Sequence, residues 1–257
     1  LLRVLQRIRV VAAPCQATAA RRILPANSWV KTLERPAVAS ILMIKTGALG
    51  DVLRTTALLP GIHAGHPSAA VTWVTASAAL ALVRLHPEVA EPIAVDPRDE
   101  QELERLSARL ARRRWDWVIS LDDEEPLCRF ASSIPSVRLS GAHFDAARGA
   151  RAYTQDSAPW FDMGLLSAFG KAEADRRKAA NRRSHPEILC SMLGLAMGEP
   201  LLPADRPSEA RVERRAAELG LPANGPVIGL NTGAGGRWPS KALSVERTAE
   251  LARELDR

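Results

Sequence analysis

The sequence is poor in three features that mark particular classes of protein. Only 4% of its 257 residues are aromatic, so a broad base-stacking surface for nucleic acid is not expected. The three cysteines, Cys15, Cys128 and Cys190, are odd in number and far apart, which fits neither a disulfide framework nor a zinc site and indicates a reducing cytoplasm. No apolar run reaches the roughly 18–20 residues of a membrane span, and arginines interrupt the first apolar stretches too often for a secretory signal.

Basic residues outnumber acidic ones, which gives a net charge of +6 and a pI of about 9.8. Most of the excess is arginine spread along the chain, which indicates a solvated surface; a site for phosphorylated or membrane-anionic substrates is the alternative. No acidic residue precedes Glu34. The basic segment 1–38 is therefore either an amphipathic stretch on a membrane surface or an extension of the domain, and we favour the extension.

From residue 39 the sequence alternates between short apolar runs and amphipathic stretches. Apolar runs typical of buried parallel strands are found at 40–45, 70–75, 92–95, 116–121 and 136–140. Helical spacing of apolar residues is found at 51–63, 77–85, 98–114, 185–198 and 208–219. Repeated strand–helix units with short joints predict an α/β fold with a doubly wound parallel sheet.

The same glycine-rich turn follows two of the predicted strands. The sequence T-G-A-x-G occurs at 46–50 and again at 232–236, where it follows a predicted strand at 226–231. The repeat predicts two Rossmann-like domains, with an irregular insertion at 142–185 in the first. The second is expected to be truncated, because one strand–helix unit cannot bury its own apolar face. The predicted segments are a basic extension, an N-terminal domain, and a linker with the start of the second domain, at 1–38, 39–199 and 200–257.

The first turn, T-G-A-L-G-D at 46–51, has the features of a ligand-binding loop. Gly47 and Gly50 permit a sharp turn and a close approach of ligand to backbone, and ligands of open α/β sheets bind beyond the carboxyl ends of the strands. The loop lacks both G-x-G-x-x-G and G-K-[ST], which disfavours a nicotinamide-dependent oxidoreductase and a P-loop enzyme. Asp51 has two interpretations that the residues alone leave open: a helix cap, or a general base aimed at an acceptor hydroxyl.

Two segments resemble a known enzyme family. Residues 41–60 (ILMIKTGALGDVLRTTALLP) are similar to the opening of bacterial heptosyltransferases and their relatives in glycosyltransferase family 9. Residues 227–241 (VIGLNTGAGGRWPSK) resemble the second hallmark of that family, a strand and small-residue loop followed by W-P-x-K. The two hallmarks occur in the right order and at a plausible separation, and the resemblance covers about residues 39–257.

The resemblance implies a GT-B fold and an inverting glycosyltransferase. The acceptor would bind the first domain, where Gly47 and Gly50 form the acceptor loop and Asp51 matches the catalytic aspartate. Lys241 matches the lysine on the donor phosphates, where a cation stabilises the leaving group, and the weaker donor-loop candidates are Arg237, Thr232 and Gly233. The substrates implied are a nucleotide-diphosphate sugar such as ADP-heptose and a lipid-linked acceptor of lipopolysaccharide or another surface glycan. The reaction would need no metal or other cofactor.

The same resemblance sets expectations for place and activity. It implies work in the cytoplasm, at the inner face of the bacterial inner membrane as a peripheral protein, with no nucleic acid as partner. The glycine-rich D-[ST]-G-x-x-H segment that grips the donor does not occur in 1–257, so this stretch alone is expected to transfer no sugar. The alternative function is a non-catalytic module of the same fold that binds a nucleotide sugar or a glycan.

Three further clusters have simpler interpretations. The acidic run D-D-E-E at 122–125 lacks the spacing of a metal-binding D-x-D motif, so acceptor contact or solvation is favoured. His63 and His66 have a spacing that metal ligands also use, but they precede Pro67 and indicate a surface turn. The arginines at 112–114 indicate a solvated helix end, with contact to an anionic membrane as the alternative.

Overall fold

The structure, a computed structural model, describes residues 38–222, 227–231 and 242–255. Its centre is a six-stranded sheet in the order β3-β2-β1-β4-β5-β6, with the first five strands parallel and the last antiparallel. The strands are β1 Ser40–Ile44, β2 Ala70–Ala76, β3 Glu91–Val95, β4 Trp115–Ser120, β5 Ser136–Asp145 and β6 Ala150–Tyr153. The predicted α/β fold with a parallel sheet is confirmed.

Helices pack against both faces of the sheet. The helices of the described residues are α1 Leu49–Thr55, α2 Leu59–Gly65, α3 Leu80–Val83, α4 Glu100–Leu110, α5 Glu125–Ser133, α6 Ala158–Phe161, α7 Lys171–Ala180, α8 His185–Leu193, α9 Arg206–Glu218 and α10 Val245–Leu255. Alternate residues of β1 point into two separate cores. Ile41 and Met43 pack with α1, α2, α3 and α8, whereas Leu42 and Ile44 pack with α4 and α5. A strand buried on both faces needs a continuous apolar run, and this is why S-I-L-M-I predicts it well.

Several helices differ from their predicted bounds for local reasons. The predicted helix 51–63 is two helices joined by the 3-10 turn Thr56–Leu58, with Pro60 in the first turn of α2. Helix α4 is shorter than 98–114 because Asp99 caps its start by accepting a hydrogen bond from the Glu102 N–H. Helix α8 ends before the predicted residue 198 because Gly194 adopts a left-handed conformation with φ 71°.

The prediction of an irregular insertion at 142–185 is wrong. Strand β5 runs on to Asp145 and forms an antiparallel hairpin with β6, and α6 and α7 follow. The alternation of side chains between the two faces of β5 is interrupted at Gly141, which has φ 112°. The sequence pattern therefore does not predict the part of the strand after this residue. The turn has a recognisable signal, because the Asp145 carboxylate accepts from the Ala147 and Arg148 N–H groups and Gly149 supplies a positive φ of 62°.

The predicted strand 226–231 is also wrong in the part that the structure describes. Residues 227–231 adopt no regular secondary structure, and the side chains of Val227 and Ile228 are exposed. A parallel strand is stabilised by neighbouring strands on either side, and no strand pairs with this segment among the described residues. Within those same residues, no helix is long and apolar enough to cross a membrane.

Candidate functional site

The candidate site lies at the carboxyl ends of the adjacent strands β1 and β4. Lys45 and Thr46 follow β1 directly, and Asp122 lies two residues beyond the end of β4. The Asp122 carboxylate forms an ion pair with Lys45 Nζ and accepts hydrogen bonds from the Thr46 N–H and, at 2.8 Å, the Thr46 hydroxyl. All three side chains are buried. Asp122 therefore fixes the start of the 46–51 loop to the neighbouring strand.

Asp51 is the third residue of α1 and does not cap it. The N-cap position belongs to Ala48, which has no side-chain hydrogen bond to the helix, and its carbonyl accepts from the Asp51 and Val52 N–H groups at 2.9 Å. The Asp51 carboxylate instead pairs with the Arg54 guanidinium one turn further along. The helix-cap interpretation is wrong, while the carboxylate still lies in the first turn, where the helix dipole favours a negative charge.

The pair Asp51–Arg54 is open to solvent, in contrast to Lys45–Asp122. The Asp51 side chain is 33% exposed and that of Arg54 is 52% exposed. Arg54 also donates from Nε to the Gly50 carbonyl at 3.3 Å, so its guanidinium is held along the start of the helix. A carboxylate fixed in this way can meet a ligand without any rearrangement of the chain.

Gly47 and Gly50 leave free space around the loop. Neither residue has a positive φ, so no left-handed backbone conformation requires glycine at either position. A Cβ added at either position would meet no atom within 4 Å. The chain's own packing does not require glycine here, and the bare backbone remains accessible to a ligand.

His185 is a residue of this site that the sequence did not indicate. It is the first residue of α8, which begins with a capping box between Ser184 and Glu187 and packs against α1. Its ring is buried and meets the edge of Trp160 at a centroid distance of 4.8 Å. The pKa of His185 is lowered to about 4, chiefly by burial and also by the nearby positive charge of Arg54, with Asp51 acting in the opposite direction.

The histidine is thus a neutral group close enough to Asp51 and Arg54 to be affected by their charges. Its Nδ1 atom is buried and has no hydrogen-bond partner among the described residues. The only sequence signal was the S-H-P-E capping box, which predicts a helix start and says nothing of a site.

The predicted donor-site residues lie outside the described residues. These are Lys241, Arg237, Thr232 and Gly233, and their roles stay predictions. The domain bounds 1–38, 39–199 and 200–257 likewise stay predictions.

The acidic run at 122–125 is used for packing and surface contacts. Beside the buried Asp122, the Asp123 carbonyl accepts from Arg151 at 2.7 Å, and Glu125 pairs with Arg129 at 2.7 Å. Throughout the described ranges, no group of three or more histidine, cysteine, aspartate or glutamate residues is arranged to hold a metal ion. Of the histidine pair, His63 contacts the Glu88 carbonyl at 3.1 Å.

Solved structures resemble the chain, although no protein-family model and no curated protein matches it significantly in sequence. A glycosyl transferase of family 9 from Veillonella parvula matches with a TM-score of 0.66 and 20% identity, over 84% of this chain and 60% of that protein. The E. coli ADP-heptose LPS heptosyltransferase II matches with a TM-score of 0.50 and 22% identity, over 84% of this chain and 61% of that protein. The chain therefore spans about three fifths of the length of these proteins. Over the shared part it has the fold of family 9 glycosyltransferases and heptosyltransferases, the family that the motifs at 41–60 and 227–241 indicate.

Proposed function

We propose that the chain is the acceptor-side part of an inverting glycosyltransferase with Asp51 as its general base. The observation that carries this proposal is the state of the Asp51 carboxylate. It lies at the edge of the sheet where ligands of α/β proteins bind, it caps no helix, and it is partly open to solvent beside Arg54. A carboxylate that contributes little to the fold at this position is available for chemistry.

The reaction follows from these groups. An acceptor hydroxyl donates its proton to the Asp51 carboxylate while its oxygen attacks the anomeric carbon of the donor sugar. The bond from that carbon to the nucleoside diphosphate breaks on the opposite face, and its electron pair leaves with the diphosphate, so the configuration inverts. Arg54 keeps the carboxylate in place through the ion pair one helical turn away.

The donor side of the proposal rests on the W-P-x-K motif. Lys241 would neutralise the charge that develops on the diphosphate, with Arg237, Thr232 and Gly233 on the same loop. Two cationic side chains at the diphosphate would do the work of a metal ion, so no metal is required. The donor class is a nucleotide-diphosphate sugar such as ADP-heptose, and the acceptor is a lipopolysaccharide precursor or another lipid-linked surface glycan.

Asp51→Asn in the full-length protein tests the proposal. Turnover with a panel of nucleotide sugars should fall about 10²–10⁴-fold, because the amide accepts no proton. The melting temperature should change little, because the exposed ion pair with Arg54 contributes at most about 1 kcal/mol. Nucleotide-sugar affinity, measured by calorimetry, should also be unchanged.

The matched control is Asp99→Asn, which changes a true helix cap far along the chain from the site. Asparagine caps about as well as aspartate, so this variant should keep full turnover. An Asp51→Asn enzyme with normal turnover would exclude Asp51 as the base. A wild-type protein that binds nucleotide sugar but transfers none would favour a non-catalytic binding module.

A further inference from the structure

The loop at residues 164–170, between α6 and α7, exposes large apolar side chains. Its sequence is G-L-L-S-A-F-G, with Leu165 85% exposed and Phe169 55% exposed. Single exposed apolar residues are common in proteins. Two exposed apolar side chains on one loop, next to a basic segment, form a patch of the kind that marks an interaction site.

This loop is held in place by its own contacts. Leu166 packs beside the buried Phe161, and the Ala168 N–H donates to the Tyr153 hydroxyl at 3.1 Å. The Tyr153 hydroxyl in turn donates to the Asp162 carboxylate at 2.6 Å. The outward direction of Leu165 and Phe169 is therefore fixed by packing and hydrogen bonds.

The segment that follows the loop is strongly basic. Residues 171–183 contain six lysines and arginines against two acidic residues, a net charge of +4. The acids are already paired, Glu173 with Arg176 and Arg177 and Asp175 with Lys171. The basic residues that form no ion pair with any described residue are Lys178, Arg182 and Arg183.

Arg177 links the apolar loop to this basic segment. Its guanidinium lies over the Phe169 ring, 4.0 Å from the centroid, and also contacts Asp162 at 2.9 Å. The apolar tip and the basic helix α7 are thus one continuous surface. An anionic bilayer matches it, because the interface accepts apolar side chains while its headgroups attract lysine and arginine.

We propose that residues 164–183 form a membrane-docking surface that inserts Leu165 and Phe169 into the interface of an anionic bilayer. The unpaired basic residues Lys178, Arg182 and Arg183 would contact the lipid phosphates. The surface belongs to the part of the chain that folds around the sheet, and its role does not depend on whether the protein transfers a sugar.

Vesicle co-sedimentation of the full-length protein tests this docking surface. Wild type should bind vesicles of phosphatidylcholine mixed with phosphatidylglycerol, and should bind pure phosphatidylcholine much more weakly. Arg182→Ala/Arg183→Ala should weaken binding to the anionic vesicles about 25-fold, because each basic residue near such a surface contributes about fivefold. Leu165→Ser/Phe169→Ser should weaken it about tenfold or more, and its residual binding should disappear as salt is raised.

The matched control is Arg112→Ala/Arg114→Ala. It removes the same charge from exposed positions after α4, so it should bind anionic vesicles nearly as wild type does. Equal binding of anionic vesicles by all variants would overturn the proposal. An equal loss in the control would also overturn it, because the effect would then come from net charge or from the arginines at 112–114, and so would failure of wild type to bind anionic vesicles.

Discussion

The buried ion pair between Lys45 and Asp122 offers a quantitative test of how the site is built. Its side chains are only 9% and 5% exposed, so neither charge is well solvated. Asp122→Asn keeps the size of the side chain and one acceptor oxygen for Thr46. It removes the only carboxylate within ion-pair distance of Lys45 among the described residues, and so leaves a buried ammonium group without a counter-charge.

The expected loss of stability is large because one partner remains. Removing one member of a buried pair typically costs about 3–5 kcal/mol. In a domain of this size, each 1 kcal/mol lowers the melting temperature by about 2–4 °C, so the variant should melt roughly 6–20 °C lower than wild type. In the double variant Lys45→Met/Asp122→Asn the buried charge is gone. It should recover much of the loss that Asp122→Asn causes, which is a coupling between the two positions.

Urea unfolding at pH 7, followed by far-UV circular dichroism, measures the free energy of unfolding of each variant and therefore the coupling between the two positions. The control is Glu125→Gln on α5, which breaks a pair whose side chains are 51% and 56% exposed and should cost less than about 1 kcal/mol. The reasoning would be refuted if Asp122→Asn cost no more than this control. It would also be refuted if the double variant were less stable than Asp122→Asn.

Two further predictions concern acid stability and close packing. Because the pKa of His185 is about 4 in the fold and about 6.5 in the unfolded chain, the unfolded state takes up the proton first. The stability contributed by the neutral ring is therefore present above pH 6.5, and about 3 kcal/mol of it is lost as the pH falls to 4. His185→Gln should flatten the measured pH dependence of the unfolding free energy by that amount, and parallel curves for the variant and wild type would contradict the assignment. Gly141→Ala should cost about 3 kcal/mol or more, because Gly141 has φ 112° and the new Cβ would lie 1.8 Å from the Ser120 carbonyl oxygen. Gly149→Ala also has a positive φ but open space around it, so its cost should be about 1–2 kcal/mol, and equal melting temperatures for the two variants would refute the steric argument.

The sheet could be predicted from the sequence because its strands are buried on both faces. A short continuous apolar run such as 41–44 is typical of a buried strand, because a surface helix places its apolar residues three or four positions apart. The alternation of these runs with helical segments predicts that the strands are parallel. Helix α5 was not predicted, since its start lies in the acidic run that follows β4. The β5–β6 hairpin was missed because Gly141 breaks the two-residue alternation that identifies a strand. The spacing of apolar residues thus predicts regular strands and helices, but it does not predict an element that a residue with an unusual backbone conformation interrupts.

The site divides in the same way. Asp51 stands in a recognisable sequence motif, whereas its position in α1 and its pairing with Arg54 depend on the folded chain. Asp122 is 77 residues from Lys45 in sequence, and no periodicity links two such residues. His185 was hidden for the same reason, because its proximity to α1 depends on how α8 packs after the chain has crossed the sheet.

The Asp122 contact also affects how mutations in this protein should be interpreted. Asp122 ties the 46–51 loop to β4 from inside the protein, where it cannot meet a substrate, yet the position of Asp51 depends on that loop. A displacement of about 1 Å in a catalytic group can lower a rate about 10²-fold, so damage at Asp122 can abolish turnover while Asp51 is chemically intact. A screen that scores activity alone would rank the two aspartates together. A measurement of thermal stability separates them. Loss of the Asp51 carboxylate removes a proton acceptor and leaves the fold intact, whereas loss of the Asp122 carboxylate destabilises the loop that positions Asp51.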